Sequence, residues 1–187
     1  MGPIPAELES RVTTAVLDEL ARWGVERFSV EALAERHGLD AATIYDHWGD
    51  RQRLIVDIAL RDLDNLGSLA DTGTLRGDLL ALARGVAANL NTEVGRIFLR
   101  ALVMNARGHH HDNDTRMMYW QSCFAIVRSV FDRARERGEM RDDVSTLAAV
   151  QILLAPLNIR GLYSNGRIDD RYCSHVADLT WHAVARR

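Results

Sequence analysis

A dense group of hydrogen-bonding and aromatic side chains lies in one short stretch of the chain, GLDAATIYDHWGDR at residues 38–51. Thr43, Tyr45 and His47 stand at alternate positions, and Trp48 follows directly. Hydroxyl and imidazole groups donate hydrogen bonds to oxygen acceptors such as phosphates. The sequence shows no nucleophile–base pair in a recognisable context, no GxSxG turn and no glycine-rich phosphate loop. The stretch therefore predicts a binding surface, and we expect neither an enzyme nor a cofactor.

Helices are the elements that must position this stretch. Alanine, leucine and arginine dominate the chain, and no convincing alternation of apolar and polar residues indicates a strand. Gly24, Gly38 and Gly49 stand where helices should end, and Ser29 and Asp40 are suitable amino-terminal caps. We predict an all-α protein with about nine helices. The predicted helices span residues 6–23, 30–37, 41–47, 51–66, 75–90, 93–107, 113–137, 144–164 and 169–185.

The first three predicted helices form one motif. A tight turn at Gly38-Leu39-Asp40 joins the second to the third, which is the helix-turn-helix arrangement. In this motif the third helix enters the major groove of double-stranded DNA by its amino-terminal end, whose partial positive charge suits phosphate. Small side chains at that end would allow a close approach, and the polar groups beyond them would contact phosphates, while Trp48 would pack inward. The predicted DNA-binding residues are Ser29, Asp40, Ala41, Ala42, Thr43, Tyr45, His47 and Arg51.

Residues 12–55 resemble the TetR (tetracycline repressor) family of bacterial regulators. The resemblance rests on Ser29-Val30, Leu33-Ala34, Thr43-Ile44-Tyr45 and His47-Trp48. It implies a transcriptional regulator whose third helix reads the major groove. It also implies that the threonine, tyrosine and histidine of that helix hold phosphates.

The carboxy-terminal part resembles the regulatory domain of that family through RERGEMRDDV at 135–144 and LLAPL at 153–157. The resemblance implies a dimer interface built from the last two helices and an internal cavity for a small molecule. We accordingly expect a homodimeric repressor that a ligand releases from a palindromic operator. The helix-turn-helix domain would span 1–49, a connecting helix 50–66, and the ligand-binding and dimerisation domain 67–187. The predicted dimerisation residues are Leu153, Leu157, Val176, Leu179 and Ala183.

Methionine, aromatic and amide side chains of the middle helices are candidates for the cavity. Methionine adapts to apolar ligands, so we expect an apolar or aromatic ligand, although a charged one stays open. The same residues could instead be ordinary core, and each amide could make a structural hydrogen bond. The candidates are Met104, Asn105, Met117, Trp120, Gln121, Phe124 and Asn158. A spacing of three and four predicts one buried stripe through Met117, Trp120, Phe124, Val127, Phe131 and Ala134.

The charge distribution leaves a second function open. Residues 1–66 hold 7 arginines and 13 acidic residues, a net charge of −6, whereas residues 67–187 have a net charge of +3. Neutralisation of phosphate supplies much of the affinity of DNA-binding proteins. Either the acidic side chains lie away from DNA, or the chain is a helical, dimeric ligand-binding protein with weakened or lost DNA binding.

Several other features bound the interpretation. Consecutive histidines at 109–111 cannot all face one ion on a helix, so we predict a solvated loop and no metal site. Cys123 and Cys173 form no CxxC motif, which favours a reducing compartment. No apolar run approaches the roughly 18 residues of a membrane span, so we predict a cytoplasmic protein with no membrane partner. Pro156 predicts a kink or a break in its helix.

Overall fold

The computed structural model describes residues 4–61, 70–103, 110–164 and 166–186, apart from the side chains of 102, 103 and 110–113. Within these ranges the chain is helical and has no strand, which confirms the predicted fold class. The described helices are α1 Ala6–Trp23, α2 Val30–His37, α3 Ala41–Trp48, α4 Arg51–Leu60, α5 Leu75–Leu90, α6 Glu93–Val103, α7 His110–Glu136, α8 Thr146–Tyr163 and α9 Asp170–Val184. The predicted ends of the fourth and sixth helices, at residues 66 and 107, lie outside the described residues.

Polar caps and a glycine fix the helix ends around the turn between α2 and α3. The Ser29 hydroxyl oxygen accepts a hydrogen bond from the Ala32 N–H at 3.2 Å, and Asp40 accepts one from the Thr43 N–H at 3.0 Å. Gly38 has a φ of 61°, in the left-handed region that closes a helix and that side chains disfavour. These local interactions explain why the predicted bounds of α2 agree with the structure.

Residues up to Arg61 form one compact unit together with Ile97–Trp120. Trp48 is 6% exposed and its indole N–H donates to the carboxylate of Asp57 at 3.0 Å, which confirms that it packs inward. Burying a large apolar side chain stabilises a fold by about 1.5–3 kcal/mol. The buried side chains of α1–α4 include Val12, Val16, Leu33, Ile44, Leu54 and Ile55.

A buried carboxylate joins α1 to α2 within this unit. Glu19 is 1% exposed and forms an ion pair with Arg36, and the His37 ring lies 3.6 Å from its other oxygen. Burial of an unpaired carboxylate would cost several kcal/mol, so this pair is needed for α1 and α2 to pack. Ligand atoms of Asp18, Glu19 and His37 lie within 4.8 Å of one another, as metal ligands would, but Arg36 already neutralises Glu19. The histidines predicted to lie in a loop, 109–111, fall outside the described side chains.

The second compact unit comprises Asp62–Arg96 and Gln121–Arg187, and in it α5, α8 and α9 pack against one another. Asn91, which follows α5, holds the backbone of Ile168 with two hydrogen bonds of 2.9 and 2.8 Å. Buried residues of this unit include Leu75, Leu79, Leu82, Leu153, Leu157 and Val176. The predicted domain boundaries at residues 49 and 66 stay predictions.

A kink or a break was predicted at Pro156; helix α8 runs through it without interruption, so the break is wrong and the kink stays a prediction. The proline carbonyl accepts a hydrogen bond from the Tyr172 hydroxyl at 3.2 Å, which ties α8 to α9 at this point. Among the described helices α8 alone is long and apolar enough to cross a membrane, with a mean hydropathy of 1.2, whereas the sequence had predicted none. Leu153 and Leu157 are fully buried, so one face of α8 belongs to the core of the second unit.

Candidate nucleic-acid interface

Asp40 caps the amino-terminal end of α3. Its carboxylate accepts hydrogen bonds from the N–H groups of Ala42 at 3.4 Å and Thr43 at 3.0 Å, and from the Thr43 hydroxyl at 2.6 Å. The Thr43 hydroxyl, followed by the Thr43 N–H, holds the pKa of Asp40 below its usual range. Because the cap is itself negative, the end of α3 presents less positive charge to a phosphate than the helix alone would. Ala41 is half-buried and Ala42 is exposed, so the surface beside the cap is small and uncharged.

Glu31 ties Tyr45 of α3 to the first turn of α2. The Tyr45 hydroxyl donates to one oxygen of its carboxylate at 2.7 Å, and the Ser29 hydroxyl donates to the other at 2.7 Å. The hydrogen bond from Ser29 and then that from Tyr45 lower the pKa of Glu31, and the bond to Glu31 raises the pKa of Tyr45. The hydroxyl of Tyr45, predicted to hold a phosphate, and that of Ser29, predicted to bind DNA, therefore converge on one exposed carboxylate. Sequence reasoning missed Glu31, which looks like an ordinary first-turn acid.

His47 lies edge-on to Trp48, with ring centroids 4.5 Å apart and an interplanar angle of 80°. The imidazole is half-exposed, whereas the indole is buried and held by Asp57. The fixed indole therefore limits where the imidazole can lie. The phosphate role of His47 stays a prediction.

Arg51 is held by two backbone carbonyls of the first unit. Its Nε donates to the carbonyl of Phe28 at 2.9 Å, and a terminal nitrogen donates to the carbonyl of Val25. Both carbonyls belong to the loop between α1 and α2, so the guanidinium holds the start of α4 against that loop. These acceptors lie in a distant loop and are not revealed by the local sequence, and the predicted DNA contact of Arg51 stays a prediction.

Ion pairs offset part of the acidic surplus of the first unit. In the described residues, guanidinium groups pair with at least six of these acids, and one of the matching arginines comes from α7. This pairing favours the reading in which the acids do not oppose DNA. Pairs in the described residues include Arg22–Asp18, Arg36–Glu19, Arg53–Asp50, Arg61–Glu9 and Arg116–Glu26.

The predicted buried stripe of α7 is wrong in its amino-terminal half. Met117 is 50% exposed and Trp120 is 38% exposed, while Thr115 and Cys123 are buried. The stripe is correct from Val127 onward. Residues of α7 up to position 120 belong to the first unit and later ones to the second, so the buried face need not be continuous along the helix. Apolar spacing alone cannot show such a change of packing partners.

The predicted ligand-binding residues are not all inward-facing. Gln121 is exposed like Met117 and Trp120, and Phe124 and Asn158 are half-buried. Met104 and Asn105 lie outside the described residues. The ligand site therefore stays a prediction, and the exposure of Met117, Trp120 and Gln121 gives it no support.

A surface groove of about 410 Å³ lies between the start of α5 and the middle of α9. It contains none of the predicted ligand residues. An ion pair of 2.8 Å between Arg76 and Asp178 lies in its wall. The other lining residues are Thr74, Gly77, Leu80, Ser174 and Ala177.

Three predicted dimerisation residues are corrected by their burial. Leu153, Leu157 and Val176 lie in the core of the second unit, whereas Leu179 and Ala183 are exposed. The most apolar run of α8 is used inside the protomer, where it packs on α5 and α9.

Most exposed residues of α8 and α9 instead recur at every fourth position, which gives each helix one outward stripe, while Ile152, Asp170 and His182 are exposed outside this series. We call the two stripes together the α8/α9 face. Tyr163 is 78% exposed and Leu179 is 70% exposed, unusually high values for large apolar side chains. The α8/α9 face consists of Leu147, Gln151, Ala155, Ile159, Tyr163, Arg171, His175, Leu179 and Ala183.

Comparison with known proteins agrees with this architecture. Residues 13–58 match the family described as bacterial regulatory proteins, tetR family, and residues 69–180 match the tetracyclin repressor-like C-terminal domain. The HTH-type transcriptional regulator YdeS of Bacillus subtilis is 22% identical over 172 residues, which cover 92% of this chain and 85% of YdeS.

Two solved structures share the fold. The TetR family transcription regulator SCO0332 superposes with a TM-score of 0.68 and 24% identity over 96% of this chain and all of its own. NalD of Pseudomonas aeruginosa, the secondary repressor of the MexAB-OprM multidrug efflux pump, superposes with a TM-score of 0.68 and 16% identity over 96% and 98% of the two chains. The helix-turn-helix geometry and both matched domains lead to one conclusion: this chain belongs to the TetR family and is a DNA-binding transcriptional regulator, not an enzyme.

Proposed function

We propose that this protein is a homodimeric repressor that leaves a palindromic operator when a small, mainly apolar or aromatic ligand binds. The observation that carries the proposal is the α8/α9 face. Large apolar side chains at Ile159, Tyr163 and Leu179 are exposed on it, and exposed apolar surface of this kind marks interaction surfaces. A second copy of the chain supplies the same face, as a two-fold interface requires.

The two-fold symmetry of the dimer explains why the operator should be palindromic. The dimer presents two copies of α3, so each half-site is read once and the half-sites are related by the same two-fold axis. Hydroxyl contacts to phosphates set the position of the protein on the duplex and carry no base preference. Thr43→Ala and Tyr45→Phe should therefore weaken binding to operator and unrelated DNA alike. A change in base preference in either variant would show that the residue contacts a base edge.

The repressor role is supported by NalD, which shares the fold and is a repressor. A ligand lowers DNA affinity only to the extent that it binds the released conformation more tightly than the DNA-bound one. Phe124 and Asn158 are the half-buried candidates, so a ligand that releases DNA should protect them rather than the exposed Met117 and Trp120. Finding that only highly polar compounds release DNA would refute the apolar ligand.

A helical dimer with weakened DNA binding is the second candidate, because residues 1–66 have a net charge of −6. One DNA-binding titration distinguishes the ligand-released repressor from the dimer with weakened DNA binding. Fluorescence anisotropy should be measured at two salt concentrations with DNA from upstream of the gene and with unrelated DNA of equal length. The repressor predicts tight, selective binding that weakens with salt. The second candidate predicts no selective binding, even after unfolding and refolding the protein to remove any bound ligand.

The oligomeric state is tested by sedimentation velocity. The wild-type protein should be a dimer at micromolar concentration. Tyr163→Glu should shift the protein toward monomer, because it replaces a large exposed apolar side chain of the α8/α9 face by a charge. Arg22→Glu, which changes an exposed residue of α1 in the first unit, is the matched control and should stay dimeric. A monomeric wild-type protein would refute the homodimer.

A further inference from the structure

We propose that Glu31 is an internal substitute for a DNA phosphate: it holds the hydroxyls of Ser29 and Tyr45 in the free protein, and DNA must displace it. The inference rests on the proposed phosphate contact of Tyr45 and on the predicted DNA contact of Ser29, and it extends the phosphate contact to the Ser29 hydroxyl. It assigns to Glu31 the role of a residue that limits DNA affinity.

The first step of the inference is the number of protons available. A serine or tyrosine hydroxyl has a single proton to donate, and a phosphate diester can only accept. In the free protein both protons are donated to Glu31, at 2.7 Å each. Neither hydroxyl can donate to a phosphate until it leaves this carboxylate. Binding therefore exchanges two charge-assisted hydrogen bonds for two others, instead of adding two.

The second step is the charge that remains. Displaced from both hydroxyls, Glu31 would be an anion within one side chain's length of the incoming phosphate. The carboxylate and the phosphate are both negative, so they repel each other at that distance. The Glu31 side chain is exposed, and no basic side chain among the described residues is paired with it to offset this repulsion. The carboxylate thus opposes binding twice, through the bonds that break and through repulsion.

Asp40 does not share this role, although the Thr43 hydroxyl donates to it. Its carboxylate also accepts the N–H of Thr43 and caps α3, so removing it would damage the recognition helix. Glu31 accepts no comparable backbone bond from α3. Removing its charge should therefore change DNA affinity while leaving α3 in place.

The test is DNA affinity of Glu31→Gln, which removes the charge and one strong acceptor but keeps the length of the side chain. We expect its Kd for both operator and unrelated DNA to fall by roughly 10-fold, equivalent to the net loss of one charge-assisted bond. The affinity for operator and for unrelated DNA must increase equally, because phosphates carry no sequence information. Circular dichroism checks the fold, and Glu31→Ala provides a second variant if the amide perturbs the first turn of α2.

Glu35→Gln is the matched control, since it removes the same charge one turn further along the exposed surface of α2. It should tighten binding by no more than about two-fold. When Glu31→Gln is made in a Tyr45→Phe background, the increase in DNA affinity should shrink toward that of Glu35→Gln. The reason is that phenylalanine has no hydroxyl proton for Glu31 to hold.

The outcomes are distinct. Wild-type protein that binds DNA while Glu31→Gln binds no more tightly than Glu35→Gln overturns the inference and leaves the repressor intact. Weaker binding by Glu31→Gln also overturns it, and shows that Glu31 positions Tyr45 for DNA. If no variant binds any DNA at low salt, the DNA-binding part of the proposed function fails, and the inference fails with it.

Discussion

Replacing Arg51 by methionine tests whether this residue holds α4 to the loop between α1 and α2. The change keeps an unbranched side chain but leaves the carbonyls of Val25 and Phe28 without the guanidinium donor. A hydrogen bond from a charged donor contributes about 1.5–3 kcal/mol, and the half-exposed position of Arg51 places each bond near the lower end. We therefore expect a loss of roughly 2–4 kcal/mol in the free energy of unfolding.

The assay is urea unfolding followed by far-ultraviolet circular dichroism, together with amide exchange in the loop at residues 25–28. A loss of this size should lower the Tm by roughly 5–15 °C in a chain of this length. Arg53→Met is the control, because its side chain is 69% exposed and its ion pair with Asp50 is 3.5 Å long. Surface pairs of this kind contribute about 0–1 kcal/mol. If the two variants lose equal stability and the loop exchanges unchanged, Arg51 does not hold the loop.

Three further predictions concern packing, capping and the interface. Leu153→Ala should cost about 2–5 kcal/mol in urea unfolding, because Leu153 is fully buried, whereas a cost below 1 kcal/mol would contradict its place in the core. Leu179→Glu should leave the unfolding free energy nearly unchanged but shift sedimentation toward monomer, and a stable dimer would place the interface elsewhere. The pKa of Asp40 is lowered from 3.8, so its stabilising effect is complete above that value and is lost as the pH falls through the lower folded pKa. Asp40→Asn should therefore flatten the dependence of stability on pH below about 4, as followed by acid titration of the circular dichroism.

Local signals in the sequence were sufficient for most of the helix ends. Ser29, Gly38 and Asp40 act on the backbone within a few residues, so their effect can be predicted from neighbours alone. The prediction that Trp48 packs inward is also confirmed, since it is 6% exposed.

Residues whose partners are distant in sequence could not be placed in this way. Tyr45 was recognised as a hydrogen-bond donor, but its acceptor Glu31 lies on another helix and resembles any first-turn acid. The direction of Arg51 depends on loop carbonyls more than twenty residues away. Leu153 looked like an interface residue because apolar type does not distinguish a protomer's own core from a surface between two protomers.

The ion pairs of this protein have an unusual consequence at alkaline pH. The chain contains no lysine, so every basic partner apart from histidine is a guanidinium that stays charged above pH 12. Loss of these pairs with rising pH, common where ammonium groups are involved, should not occur between pH 9 and about 11. Tyr45 and buried Cys173, whose pKa values are raised by Glu31 and by burial, keep their protons further into this range than free side chains do. Because their folded pKa values are raised from 10.0 and 9.0, the stability these two groups contribute is complete below those unfolded values and is lost as the pH rises through the folded ones. Ionisation of Tyr45 and Cys173, and not loss of the ion pairs, should therefore start alkaline unfolding.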